Sequence, residues 1–225
     1  MTGRFEPRLS ILPQAQRRLW PALAPAPGLG FVLYGGTAIA LRLGHRQSVD
    51  FDFFTERQLD KAALAAAFPF LTQSQLLQDQ PDTVTVLVPD SDSHQQPVKV
   101  SFFGGINIGR YSAPQTTTDG VLQVAALEDL LATKVKVLLQ RIESKDYRDI
   151  AAMLKTGVAL NRSLAIAQAM YGNNFQPAES LKAMTYFQGG DLDLLTDDEK
   201  ATLIKSASSV RELPIIARTA NELSA

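Results

Sequence analysis

Asp50 and Asp52, in the stretch SVDFDFF, are the residues whose types and spacing point most directly to chemistry. Side chains alternate between the two faces of a strand, so these carboxylates project from one face while Val49, Phe51 and Phe53 project from the other. At ~3.4 Å per residue they stand about 7 Å apart, close enough to converge on one divalent cation. Just upstream, Gly35 and Gly36 let backbone amides approach an anion where a short helix points its partial positive charge. A glycine pair alone is a weak signal, and so is acidic alternation on a strand, which usually marks a solvated face. Together they are more specific. The phenylalanines on either side place the strand deep in a sheet, where carboxylates are costly unless paired or bound to metal. A phosphate cradle beside such a pair suggests nucleotide chemistry.

These residues need elements to hold them. Residues 31–34 form a short apolar run, expected as a buried strand, and residues 37–43 a helix stopped by Gly44. Residues 47–54 are the carboxylate strand. A short helix is expected within residues 10–20, and an alanine-rich one over 59–68 closed by Pro69. Residues 83–88 and 98–103 are strands joined through the turn PDSDSHQQP as a hairpin, so the sheet contains antiparallel neighbours. From Ala125 the pattern becomes helical: Leu127, Leu130, Leu131, Val135 and Leu138 recur at helical spacing, then Tyr147, Ile150, Ala151 and Leu154. Further helices are expected over 164–171, 177–187, 196–208 and 213–223. Thr196 followed by Asp197, Asp198 and Glu199 forms an N-cap with an acidic first turn. The expected organisation is an α/β domain over residues 1–120, a mixed β-sheet with helices, and a C-terminal all-helical domain over 121–225.

The chain has 225 residues, 45% hydrophobic and 20% charged, with a net charge of −1 and no cysteine. It is long enough for a real core, carries no global basic field, and has no thiolate metal site or cysteine nucleophile. The N-terminus lacks the apolar core of a signal peptide and no run of eighteen apolar residues occurs, so a cytoplasmic protein with no membrane contact is expected. His45 and His94 fall near loops without a second ligand at metal spacing. The acidic string GGDLDLLTDDE at 189–199 does not fit a calcium loop, and helix capping explains it better.

The stretch GGTAIALRLGHRQSVDFDFF resembles the glycine-rich turn and Asp-x-Asp strand of the polymerase-β-like nucleotidyltransferases, most nearly the AbiEii/AbiGii-type toxin branch. In the second half Lys134, Arg141, Lys145, Asp146, Tyr147 and Asp149 of KVKVLLQRIESKDYRDI resemble the Lys…Arg…Lys-Asp-x-x-Asp block of that branch. The resemblance implies that Gly35, Gly36 and Thr37 hold a nucleoside triphosphate through amides and a hydroxyl. Asp50 and Asp52 would coordinate Mg²⁺ or Mn²⁺, and Arg46 and Ser48 would steady the phosphates or the strand entry. Lys134 would contact the triphosphate as a point charge, Asp146 or Asp149 would complete the site, and Arg141 and Lys145 would touch phosphates. It further implies transfer of a nucleoside monophosphate to an RNA 3′ end, tRNA included, or to a protein hydroxyl. A cognate antitoxin is the implied partner.

One position departs from the pattern. The strand that should carry a third carboxylate reads VKVSFF, with Ser101 where an acid is expected. Serine neither takes a proton at neutral pH nor replaces a hard anionic ligand. Asp146 or Asp149 substitutes, the substrate supplies the base, or the protein keeps the fold as a nucleotide-binding module without chemistry. A modifier of cationic small molecules is a third reading, against which the cluster Lys134, Lys136, Arg141 and Lys145 argues.

Overall fold

A computed structural model of the chain describes residues 3–90, 92 and 96–225. His94 and much of the turn at 89–97 lie outside the described residues. The chain divides into two compact units, residues 1–125 with 220–225, and residues 126–219.

The first unit contains β1 (Arg4–Phe5), α1 (Gln14–Leu19), β2 (Val32–Tyr34), α2 (Gly35–Leu43), β3 (Asp50–Phe54), α3 (Lys61–Ala67), β4 (Gln75–Gln80), β5 (Thr83–Val88), β6 (Val98–Phe103), β7 (Gln115–Thr117) and β8 (Gln123–Val124). The strands form one mixed sheet in the order β1-β7-β8-β2-β3-β6-β5-β4. β3 lies in its middle, antiparallel to β2 and parallel to β6. β5 and β6 pair antiparallel from Thr83↔Phe103 to Val88↔Val98, as the hairpin expectation required.

Alternation along β3 and β6 builds the core. Phe51, Phe53, Val100 and Phe102 are fully buried on one face. Phe53 stacks on Phe102 at 5.3 Å, while Phe31 and Phe68 close around Phe102 at 5.2 and 5.1 Å. Each such aromatic pair contributes about 0.5–1.5 kcal/mol beyond the area it buries. β3 starts at Asp50 rather than at 47, and Val49 is exposed instead of joining the phenylalanine face. α2 begins at Gly35, two residues earlier than its apolar pattern suggests, and ends at Gly44 in the left-handed region with φ 68°. α3 is capped by Asp60, whose side chain accepts from the Ala63 amide at 2.9 Å. β4, with the sequence QLLQDQ, is an edge strand that no alternation announces; all six residues are exposed, and its pairing with β5 slips between Leu76 and Gln78.

The second unit contains α4 (Leu127–Val137), α5 (Ser144–Lys155), α6 (Leu160–Tyr171), α7 (Pro177–Thr185) and α8 (Asp197–Ser209). α4 packs on α5, α6 and α7, and α8 packs on α5 and α7. Buried Ser180 of α7 donates to the Val135 carbonyl of α4 at 2.8 Å. Both ends of the acidic string act as caps. Asp191 accepts from the Ser144 amide at 2.6 Å and its hydroxyl at 2.7 Å, closing the start of α5, and Thr196 and Glu199 form a full capping box on α8.

The helix expected over 213–223 does not form. Residues 210–219 carry no helix or strand and are mostly exposed, and residues 220–225 belong to the first unit. There Arg110 and Ala220 exchange backbone hydrogen bonds of 2.9 and 3.3 Å, the Leu223 amide donates to Glu56 at 3.0 Å, and Leu223 is buried. Pro214 would be tolerated in the first turn of such a helix, so the tail's docking decides the matter. Among the described residues no helix is long and apolar enough to cross a membrane.

Candidate functional site

β2 delivers the chain directly into the glycine turn. Tyr34, its last residue, pairs with Asp52 across β2 and β3, so the turn starts beside the carboxylate strand. Gly35 has φ 75°, and a Cβ there would lie 2.7 Å from Asp52 Oδ2. Both the backbone angle and the carboxylate therefore require glycine. A Cβ on Gly36 would strike the Arg46 guanidinium and come within 3.3 Å of Ser48 Oγ. The α2 N-terminus has no side-chain cap and no acid in its first turn; the charged groups beside it are the Asp52 carboxylate at Gly35 and the Arg46 guanidinium at Gly36.

Thr37 is the third residue of α2. It is buried, its Oγ1 lies 2.8 Å from Ser48 Oγ, and it donates to the Asp50 carbonyl. Its hydroxyl thus ties the turn to the entry of β3, and Ser48 belongs to the same clamp.

Asp50, Asp52 and Phe54 share the face opposite the core, and Asp50 and Asp52 are both partly exposed. The parallel register sets Asp50 beside Lys99 and Asp52 beside Ser101. Ser101 is buried, in the row Tyr34, Asp52, Ser101, Thr85 across four strands. Among the described residues no group of three or more acids, histidines or cysteines could hold a metal ion. Two carboxylates beside an anion cradle do fit Mg²⁺, which binds through one or two carboxylates and takes its other ligands from phosphates and water. Lys99 escaped the reading of the sequence. Its Nζ lies 3.6 Å from Asp50 Oδ2, and the alternation in VKVSFF that brings Ser101 to this face brings Lys99 too.

The remaining candidates gather in the helical unit. Lys134 of α4 is buried, with Nζ 2.6 Å from Asp146 Oδ1 and 2.8 Å from Asp149 Oδ2 on α5, and both carboxylates are fully buried. Arg141 closes on Asp146 with Nε at 2.8 Å and Nη2 at 3.1 Å. Burial alone would raise the Asp146 carboxyl, but the hydrogen bonds and charges of Arg141 and Lys134 outweigh it and hold the group below the usual carboxylate range. Lys145 is largely exposed and pairs with Glu143 at 2.6 Å. Lys134, Arg141, Asp146 and Asp149 are thus one ion network in the second unit, while Gly35, Gly36, Thr37, Arg46, Ser48, Asp50 and Asp52 are assembled in the first.

The mixed sheet, the glycine turn and the carboxylate strand define a nucleotidyltransferase-like α/β domain followed by helices. A family model described as "Nucleotidyl transferase AbiEii toxin, Type IV TA system" matches residues 18–215, and the chain belongs to this AbiEii family. It is also similar to a protein of Aquifex aeolicus (strain VF5) that is described as uncharacterized, at 28% identity over 172 residues, covering 75% of this chain and 79% of the other.

Proposed function

We propose that the chain is a Mg²⁺-dependent nucleotidyltransferase that moves a nucleoside monophosphate from a nucleoside triphosphate onto an acceptor hydroxyl, Mn²⁺ being an alternative metal. The observation that carries this reading is the contact between turn and strand: Gly35 is pressed against Asp52, so an anion bound at the α2 N-terminus would lie beside the carboxylate pair. Asp50 and Asp52 would hold the metal, which when bound offsets the charge of the phosphates. The amides of Gly35 and Gly36 and the Arg46 guanidinium would hold the triphosphate, with Thr37 and Ser48 keeping turn and strand in register. The acceptor oxygen attacks the α-phosphorus, the bond to the pyrophosphate oxygen breaks, and the acceptor proton passes to a phosphate oxygen or to water. Within the helical unit, Lys134, Arg141, Asp146 and Asp149 would serve to stiffen that unit through their ion network, with Lys145 exposed beside it. Family membership supports a toxin role with a cognate antitoxin, and an RNA 3′ end or a protein hydroxyl is the acceptor we propose.

Ser101 beside Asp52 favours one other reading, a nucleotide-binding module without transfer. Incubation with each labelled nucleoside triphosphate, Mg²⁺ and either total RNA or cell protein separates the two. Label is expected on an acceptor with the wild type and not with Asp52→Ala. Nucleotide binding by calorimetry without any labelled product would sink the transferase reading.

A further inference from the structure

On the site's own sheet face, the partner of Asp50 is a cation. Asp50 and Lys99 are aligned in the β3–β6 register, their side chains leave the sheet on the same side, and the ammonium stands 3.6 Å from the carboxylate. Both groups are open to solvent, 41% for Lys99 and 37% for Asp50. Such an exposed pair holds its partners weakly, so Lys99 is not committed to Asp50. Two residues further along β6, Ser101 fills the position beside Asp52, and among the described residues no third acid joins the pair. A two-metal site for phosphoryl chemistry clamps the attacking and leaving oxygens with two cations about 3.5–4 Å apart. Here the ligands suffice for one metal, and a positive side chain stands where a neighbouring charge is needed.

We propose that Lys99 supplies the second positive charge of this site, its ammonium engaging the triphosphate of the bound nucleotide beside a single metal ion held by Asp50 and Asp52. The inference rests on the nucleotidyltransferase reading and deepens it. Lysine suits the position as a compact point charge on a flexible stem that can swing from a carboxylate to a phosphate. It also accounts for the chemistry of VKVSFF, in which one strand face exchanges a metal-ligating acid for serine and presents an amine two residues away. A merely structural Lys99 would be an ordinary cross-strand partner of Asp50 and would have no effect on nucleotide.

The test uses the full chain, non-hydrolysable analogues of the four nucleoside triphosphates, and Mn²⁺ counted by electron paramagnetic resonance. One Mn²⁺ per chain is expected in the analogue complex. Lys99→Gln should weaken the analogue about tenfold or more, the usual effect of losing a hydrogen bond to a charged group. Lys99→Arg should keep most of the affinity, and the melting temperature of both variants should stay at the wild-type value. Two Mn²⁺ per chain would overturn the proposal, as would wild-type analogue affinity in Lys99→Gln. Tighter Mn²⁺ binding in Lys99→Gln without loss of analogue would overturn it too, because Lys99 would then be a competitor of the metal. If the wild type binds none of the analogues, the nucleotidyltransferase reading fails and this inference falls with it. Analogue binding that ignores Lys99 refutes this inference alone.

Discussion

Lys134→Met tests whether the helical unit's charges are a structural network. Lys134 is 5% exposed and bridges two carboxylates that have no exposure at all, with contacts of 2.6 and 2.8 Å. Methionine keeps roughly the length and apolar stem of lysine and removes only the charge and its hydrogen bonds. Asp146 retains Arg141, but Asp149 loses its lysine while staying buried, and breaking a buried pair from one side costs about 3–5 kcal/mol. For a unit of this size that is a fall in melting temperature of more than roughly 10 °C. Trp20, the chain's one tryptophan, belongs to the first unit, so its fluorescence follows the sheet while circular dichroism follows chiefly the helices. The expected result is an early loss of helical signal with the tryptophan transition little changed. Adding Asp149→Asn should restore part of the lost stability, because the buried carboxylate that has lost its lysine is then neutral. A loss below about 1 kcal/mol, the range of an exposed pair, would refute this reasoning. If nucleotide affinity fell instead, Lys134 would be the triphosphate contact that its position in the sequence suggests.

Other consequences are open to measurement. Asp146 has its carboxyl held below its ordinary value in the folded state, so the stability it contributes is present above that ordinary value and lost as pH falls through the lower folded one. Asp191, held down by the Ser144 amide and hydroxyl, behaves the same way, and the acid limb of a melting-temperature profile should flatten in Asp146→Asn. Gly35→Ala should cost about 1–2 kcal/mol for its left-handed backbone and should lower Mn²⁺ affinity further by displacing Asp52, whose Oδ2 would lie 2.7 Å from the new Cβ. Gly28→Ala, with no atom within 4 Å of the added Cβ, is the control expected to leave metal affinity unchanged.

The parts of the fold that alternate or carry caps were legible in the amino-acid order. The strands 83–88 and 98–103 and the start of α8 follow from branched residues in register and from Thr196 with Glu199. The carboxylate strand was legible because phenylalanines flank its acids. β4 was not, since an exposed edge strand has no buried face to write a period into its residues. The segment after Leu213 has helix-like apolar spacing, yet Leu223 finds its burial against the first unit, a long-range contact that no local pattern encodes. Lys134 and Asp149 are fifteen positions apart in the chain, where the family resemblance assigns both to the nucleotide site, and only the packing of α4 on α5 makes them a buried pair. Lys99 shares the alternation of Ser101, yet its partner Asp50 lies on a strand far away in the chain, a pairing that no local pattern encodes.

The return of residues 220–225 sets an order on synthesis. Arg110, Glu56 and Gln123 wait for the Ala220, Leu223 and Ala225 backbone, so the unit that carries Asp50 and Asp52 lacks its last hydrogen bonds until all of residues 126–219 have been made. A ribosome-bound chain that has already exposed the glycine turn and the carboxylate strand still holds an unfinished sheet unit. Its completion waits for residues 220–225, a delay built into the path of the chain.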